Sequence, residues 1–140
     1  MRYGMIVLVL AAAATTFTAC VSQPGPSPDL MTALDSRNDC GMRFQAAQKI
    51  SSVPDRDLAF SQIALGAVDC RNDEVLRNSI DRISDPTLKD DTAYRAAIAL
   101  AKTGRGLMAA TIANAIVNSD VRTRAVIAIN QTTPAPKANN

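Results

Sequence analysis

Apolar residues recur at helical spacing along most of the chain from residue 30 to residue 130. In one stripe, Phe60, Ile63, Ala64, Ala67 and Val68 follow the order i, i+3, i+4, i+7 and i+8, which places them on one face of a helix. Similar stripes occur at Met42–Ile50, Leu76–Ile83, Tyr94–Ala101, Met108–Ile116 and Val121–Ile129. No stretch alternates apolar and polar residues for long enough to form a strand. The sequence therefore predicts an all-α domain over residues 30–130.

Prolines, a glycine and capping residues separate these stripes. Pro54 and Pro86 are each followed by a residue with a capping oxygen, and proline is favoured in the first turn of a helix. Gly104 suits the end of a helix, where a positive φ is needed. Asn72-Asp73 and Ser119-Asp120 are further candidates for helix N-caps. The pattern predicts six short helices joined as antiparallel hairpins.

The helical segments also repeat. Ile50, Ile83 and Ile116 are equally spaced along the chain, and each closes a helix before a turn. Asp57-x-Ala59-Phe60 is echoed by Asp91-x-Ala93-Tyr94, so we expect Phe60 and Tyr94 to occupy matching positions in the core. The spacing of the isoleucines gives a two-helix unit of about 33 residues, which is the size of a tetratricopeptide repeat.

The segments Ile83-Ser-Asp-Pro86 and Leu100-Ala-Lys-Thr-Gly104 resemble degenerate members of the tetratricopeptide superfamily. The resemblance covers about residues 39–130, although the usual Trp and Leu-Gly pair of the first helix are absent and Ala113 replaces an aromatic residue. It implies short antiparallel helical hairpins stacked as a small α-solenoid. A compact helical bundle is the alternative, because Ala-rich helices can produce such echoes by chance.

The N-terminus has the composition of an export signal. Arg2 precedes an unbroken apolar run of ten residues, Met5–Ala14, which is shorter than the roughly 20 residues that span a bilayer. The next segment, Phe17-Thr-Ala-Cys20, resembles the lipobox of bacterial lipoproteins, with Phe17 in place of the usual Leu. The resemblance implies that residues 1–19 are a lipoprotein signal peptide and that Cys20 is lipidated.

Two proline-containing segments flank the predicted domain. Residues 20–29 include three prolines and a glycine, so we expect an extended tether that holds the domain roughly 25–30 Å from the lipid. Residues 131–140 have no apolar periodicity and are expected to be disordered. Val21 follows the lipidated cysteine, and by resemblance to the enterobacterial sorting rule it implies an outer-membrane location facing the periplasm.

The remaining cysteines are consistent with export. With Cys20 taken by lipid, Cys40 and Cys70 form an even pair in an oxidising compartment, and we predict a disulfide between them. The bond would fasten the N-terminal helix of the domain to the next one. Its 30-residue separation corresponds to about 3 kcal/mol of stabilisation.

Catalytic chemistry is not supported by the composition. The chain has no His and no Trp, which excludes histidine bases, His-dependent nucleophiles and imidazole zinc sites. The acidic turn from Asp69 to Glu74 lacks the glycine and the bidentate ligand of a calcium loop. Asp90 and Asp91 are best explained as helix-start charges. We expect no enzymatic activity, cofactor or metal, and the near-neutral charge and lack of a basic run argue against nucleic acid as a partner.

The last stripe identifies a candidate partner surface. Val121, Val126, Ile127 and Ile129 make this helix apolar around most of its circumference, and a repeat array needs a polar cap on its terminal face. We therefore expect these residues to bind a protein partner or a second copy. The leading functional hypothesis is a membrane-anchored assembly scaffold in the bacterial envelope. The alternative is a structural or surface lipoprotein that binds a small hydrophobic ligand between its Ala-lined helices.

Overall fold

The computed structural model describes residues 28–35 and 39–132. This part of the chain is all-helical, without a strand, which confirms the predicted fold class. The helices are α1 (Pro28–Leu34), α2 (Cys40–Ala47), α3 (Val53–Asp69), α4 (Asp73–Arg82), α5 (Pro86–Lys102), α6 (Gly106–Asn114) and α7 (Ser119–Thr132). In these described ranges no helix combines the length and the apolar composition needed to cross a membrane.

The helical boundaries differ slightly from the sequence prediction. An additional helix, α1, begins at Pro28, inside the segment expected to be a tether. Proline fits there because the first N–H of a helix has no intrahelical partner in any case. At the other end, α7 continues to Thr132, whose hydroxyl donates to the Ala128 carbonyl at 2.6 Å. The predicted signal peptide, Cys20 and the final residues 133–140 lie outside the described residues.

Helix starts reproduce the period of the isoleucines. The short helices α2, α4 and α6 begin at residues 40, 73 and 106, and the long helices α3, α5 and α7 begin at 53, 86 and 119. Ile50, Ile83 and Ile116 precede the long helices and are each at most 3% exposed. The chain therefore repeats one unit of a short helix followed by a long one. The three helix pairs are α2 with α3, α4 with α5 and α6 with α7, and α1 precedes them.

Local sequence signals fix most helix ends as expected. Asn72 caps α4 by accepting from the Val75 N–H at 3.1 Å, and Pro86 follows the cap of α5. Gly104 follows α5 with a φ of 77°, the left-handed conformation that glycine adopts without steric cost. The predicted cap Ser119 is wrong by one residue, because Asn118 accepts from the Asp120 and Val121 N–H groups.

The long helices pack side by side in chain order. Helix α5 contacts α3 on one side and α7 on the other, while α4 packs on α3 and α6 packs on α5. Helix α1 contacts both α2 and α3, and it contributes Leu30 and Ala33 to the core. One end of the row of helix pairs is thus covered by α1.

The repeat register differs from the one expected from the aromatic residues. Phe60 is 1% exposed and its ring lies 5.5 Å from that of Phe44, so its core role is confirmed. Its equivalent one repeat later is Ala93, which is also buried. Tyr94 is half-buried and is equivalent to Ser61. The apparent match of Phe60 with Tyr94 is shifted by one residue.

Each of the first two helix pairs is closed by a bond that joins the start of the short helix to the end of the long one. The predicted disulfide joins Cys40, the first residue of α2, to Cys70 at the end of α3, with the Cα atoms 6.7 Å apart. In the second pair, Asp73 at the start of α4 forms an ion pair with Arg105 beyond the end of α5. The Arg105 guanidinium also donates to the Val68 carbonyl at 3.3 Å, which ties the second pair to the first.

Reduction of the disulfide should lower the free energy of unfolding by about 3 kcal/mol, because the unfolded chain regains the entropy of a 30-residue loop. Urea denaturation with and without reductant measures the difference. A Cys40→Ala/Cys70→Ala variant should match the reduced protein and should not respond to reductant. A response of that double variant would show that the effect does not come from this bond.

Candidate functional site

Two buried aspartates join successive long helices. Asp57 in α3 is 3% exposed, and its Oδ2 accepts from the backbone N–H groups of Ser84 at 3.0 Å and Asp85 at 2.9 Å. Asp90 in α5 is 8% exposed and accepts from the N–H groups of Val117 at 3.0 Å and Asn118 at 2.8 Å. Donors and acceptors are both displaced by one repeat, so each carboxylate fastens its helix to the turn that begins the next long helix.

The same turns carry the helix caps. Asp85 Oδ1 accepts from the Thr87 N–H at 2.8 Å and the Leu88 N–H at 3.1 Å. Asn118 makes the equivalent pair of bonds at the start of α7. A helix N-terminus leaves N–H groups without intrahelical partners, and here one side chain from within the turn and one from the preceding long helix satisfy neighbouring donors.

We call each contact between a buried aspartate and the following turn a joint. Each joint lies beside a surface cleft, and the two clefts are built from equivalent residues. The first cleft has a volume of about 490 Å³ and is lined by Val53, Pro54, Asp57, Ser84, Asp85 and Leu88. The second cleft has a volume of about 310 Å³ and is lined by Pro86, Thr87, Asp90, Val117, Asn118 and Val121. Each residue of the second cleft follows its counterpart by one repeat, so the clefts are a product of the repeat.

The two clefts differ in charge and in hydrogen bonding. Asp85 in the first cleft is replaced by the neutral Asn118 in the second. Both oxygens of Asp90 accept a backbone N–H, whereas Asp57 uses Oδ2 twice and its buried Oδ1 has no hydrogen-bond partner among the described residues. The first cleft therefore has two carboxylates, and one of their oxygens is shielded from water without a donor.

These two joints have no local signature in the sequence. Asp57 carries no local signal of burial, and the interpretation of Asp90 as a helix-start charge was wrong because its carboxylate bonds to another turn instead. Asp91 points to solvent and pairs with Arg95 in its own helix at 3.7 Å. The spacing of the isoleucines does align Asp57 with Asp90, and this alignment could have indicated that the two aspartates have the same role. The apparent match of Asp57 with Asp91 concealed it.

The residues expected to bind a partner fall into three environments. Val126 and Ile127 are 41% and 51% exposed on α7. Val121 is half-buried and lines the second cleft. Ile129 is 7% exposed and belongs to the hydrophobic core, because it lies on the side of α7 that packs inward. We therefore leave Ile129 out of the candidate surface.

Ile127 occupies a repeat position that, in the two earlier units, faces the next long helix. Its equivalents are Ser61, whose hydroxyl bonds to Thr92 of the next long helix at 2.7 Å, and Tyr94, whose ring lies 5.9 Å from the Arg124 guanidinium of the next long helix. Both earlier positions thus face the following long helix. Ile127 has the same place on α7, and no described element covers it.

A metal ion in the described part of the chain would need a group of ligating side chains. Residues 28–35 and 39–132 contain no group of three or more His, Cys, Asp and Glu side chains placed to hold a metal ion. The acidic turn after α3 serves structural roles, since Asn72 caps α4 and Asp73 pairs with Arg105. No protein-family model matches the sequence, and neither a curated protein nor a solved structure is significantly similar to it.

Replacing either buried aspartate should destabilise the fold. Asp57→Ala and Asp90→Ala should each lower the free energy of unfolding by about 2–3 kcal/mol, because two backbone donors lose a charged acceptor. Urea denaturation of the full chain measures this. Asp91→Ala is the matched control, since an exposed pair contributes at most about 0.5 kcal/mol. Equal losses in all three variants would contradict the joint.

Proposed function

We propose that the chain is a membrane-anchored, non-catalytic lipoprotein that binds another protein of the bacterial envelope through the outer face of α7. The observation that carries the proposal is the asymmetry of the two ends. Helix α1 covers α2 and α3, whereas Val126 and Ile127 on α7 are exposed. Because position 127 corresponds to positions that face a following helix, the partner surface is best matched by a helix.

A stacked arrangement of the helix pairs, as in a small α-solenoid, supports this mode of binding. Such arrays bury each unit against its neighbours and need a cap at the terminal unit. The contacts of α5 with both α3 and α7 are consistent with stacking. A partner helix on α7 would supply such a cap. At roughly 25 cal/mol per Å², covering 200 Å² of apolar surface contributes about 5 kcal/mol before the cost of association.

Binding at this surface is favoured over binding of a small hydrophobic ligand inside the domain. Ala64, Ala97 and Ala101, which line the long helices, are completely buried. Such small residues let neighbouring helices approach closely, which supports a packed interior.

The proposal of a lipid anchor is based on the N-terminal sequence. The lipobox-like Phe17-Thr-Ala-Cys20 and the apolar run before it support export and lipidation of Cys20, and Val21 supports an outer-membrane location facing the periplasm. Several acyl chains hold a protein on a bilayer far more firmly than one. The proline-containing segment after Cys20 would let the domain reach a partner while the lipid stays in place.

Val126→Asp and Ile127→Asp should each abolish the crosslinked complex formed in intact envelopes, because burying an ionised carboxylate in an apolar interface costs several kcal/mol. Helical circular dichroism and the melting temperature should not change, since both side chains are exposed. Mass spectrometry of the complex separates a partner protein from a second copy.

Leu107→Asp is the matched control, because Leu107 is 87% exposed on a different helix and should leave the complex intact. Unfolding of both α7 variants, or a complex that survives them, would remove this surface from the proposal.

Cys20→Ser should prevent incorporation of radioactive palmitate and release the protein from membranes or leave it uncleaved, since the thiol that takes the lipid is gone. The measurement is palmitate labelling followed by membrane fractionation. Cys40→Ser provides the comparison, because it removes a different cysteine and should leave labelling unchanged. A wild-type chain that takes up no label would exclude the lipid anchor.

A further inference from the structure

In contrast to the second cleft, which is lined by one carboxylate, the first cleft is lined by two. Asp57 and Asp85 both line it, and no Lys or Arg is among the described residues that do so. The neighbouring Lys89 is engaged elsewhere, with its Nζ 3.3 Å from the Asp81 carbonyl oxygen and 3.9 Å from the Asp81 carboxylate. The two carboxylates of the cleft are therefore not balanced by a Lys or Arg among the residues that line it.

Asp57 Oδ1 is the least satisfied atom of this cleft. It is shielded from water and accepts no hydrogen bond among the described residues. A buried carboxylate oxygen without a donor is costly, because it loses its hydration and gains nothing in return. The equivalent Asp90 avoids this cost by using both oxygens for backbone donors. A cation in the first cleft would offset the negative charge that this oxygen retains.

The dipole of α5 does not make this an anion site. The N-terminus of a helix attracts anions through its free N–H groups. Here Asp57 already accepts from the N–H groups of Ser84 and Asp85, and Asp85 accepts from those of Thr87 and Leu88. An incoming anion would find these donors occupied and two carboxylates beside them.

An organic cation fits the first cleft better than a metal ion does. A metal ion needs several oxygen ligands, whereas three of the six lining residues, Val53, Pro54 and Leu88, are apolar. A guanidinium prefers a carboxylate with two accessible oxygens, but Asp57 Oδ1 is shielded and its Oδ2 is already used by two N–H groups. A primary ammonium is a compact charge on a flexible aliphatic stem, so its charge can lie beside the two carboxylates while the stem covers the apolar wall.

We propose that the first cleft binds a primary alkylammonium group, with the charge at Asp57 and Asp85 and the aliphatic stem against Val53, Pro54 and Leu88. The group can be the end of a lysine side chain of a protein or a free aliphatic amine. This site is separate from the outer face of α7, so either can fail without the other.

The test is a titration of the ¹⁵N-labelled full chain with butylammonium, followed by amide chemical shifts. The amides of Ser84 and Asp85 should shift with saturation, whereas those of Val117 and Asn118 in the second cleft should not. Butanol has a similar stem without the charge and should cause no saturable shift. Equal shifts with butanol, or equal shifts at the two clefts, would overturn the proposal.

Asp85→Asn is the discriminating variant, because Asn118 caps α7 with the same geometry and the substitution copies the second cleft. It should weaken butylammonium binding about fivefold, as expected for the loss of one exposed charge, and leave the fold unchanged. Asp91→Asn, which removes an exposed carboxylate outside the cleft, should leave the affinity unchanged. Equal affinity of wild type and Asp85→Asn would overturn the site.

Two further ligands distinguish the sources of the ammonium group. Tighter binding of Nα-acetyl-lysine methylamide than of 1,4-diaminobutane supports a protein lysine, and the reverse order supports a free amine. Absence of binding by butylammonium and by both of these compounds overturns the proposal.

Discussion

The hydrogen bonds from backbone N–H groups to the buried carboxylates of Asp57 and Asp90 hold the rest of this structure in register. Each carboxylate belongs to one long helix, and its two donors belong to the turn that starts the next. Charge-assisted bonds of this kind are about twice as strong as neutral ones. Since Ile83 and Ile116 enter the core just before those turns, the joint also determines where the apolar side chains of the following unit are buried.

The joints explain why the surface has two related clefts. A turn that is held down by a carboxylate from the preceding helix leaves a recess between two helix starts, and repetition of the unit reproduces the recess. Divergence within the repeat then changes its chemistry, because Asp85 in one unit is Asn118 in the next. The proposed partner surface on α7 has a different origin, since Ile127 keeps a packing position of the repeat and no described helix covers it.

Much of the fold was predictable because it depends on local signals. The helical spacing of apolar residues, Pro86, Asn72 and Gly104 are each read within a few positions of the chain. The disulfide was predicted because the expected export and lipidation of Cys20 leave Cys40 and Cys70 as an even pair. The buried aspartates were not predictable in this way, because their donors lie 27 or 28 residues away in sequence. The exposure of Ile127 and the burial of Ile129 likewise depend on how α7 is rotated against α5. That rotation is a tertiary property.

The closures of the helix pairs weaken along the chain. The first pair is closed by a covalent bond between Cys40 and Cys70, and the second by the ion pair of Asp73 with Arg105. The third pair has Gly106 at the corresponding start, which offers no side chain for either bond. In proteins built from repeated units, opening proceeds from the least stable unit. The domain should therefore fray from α7 inward, with amide hydrogens exchanging fastest there and slowest around the disulfide.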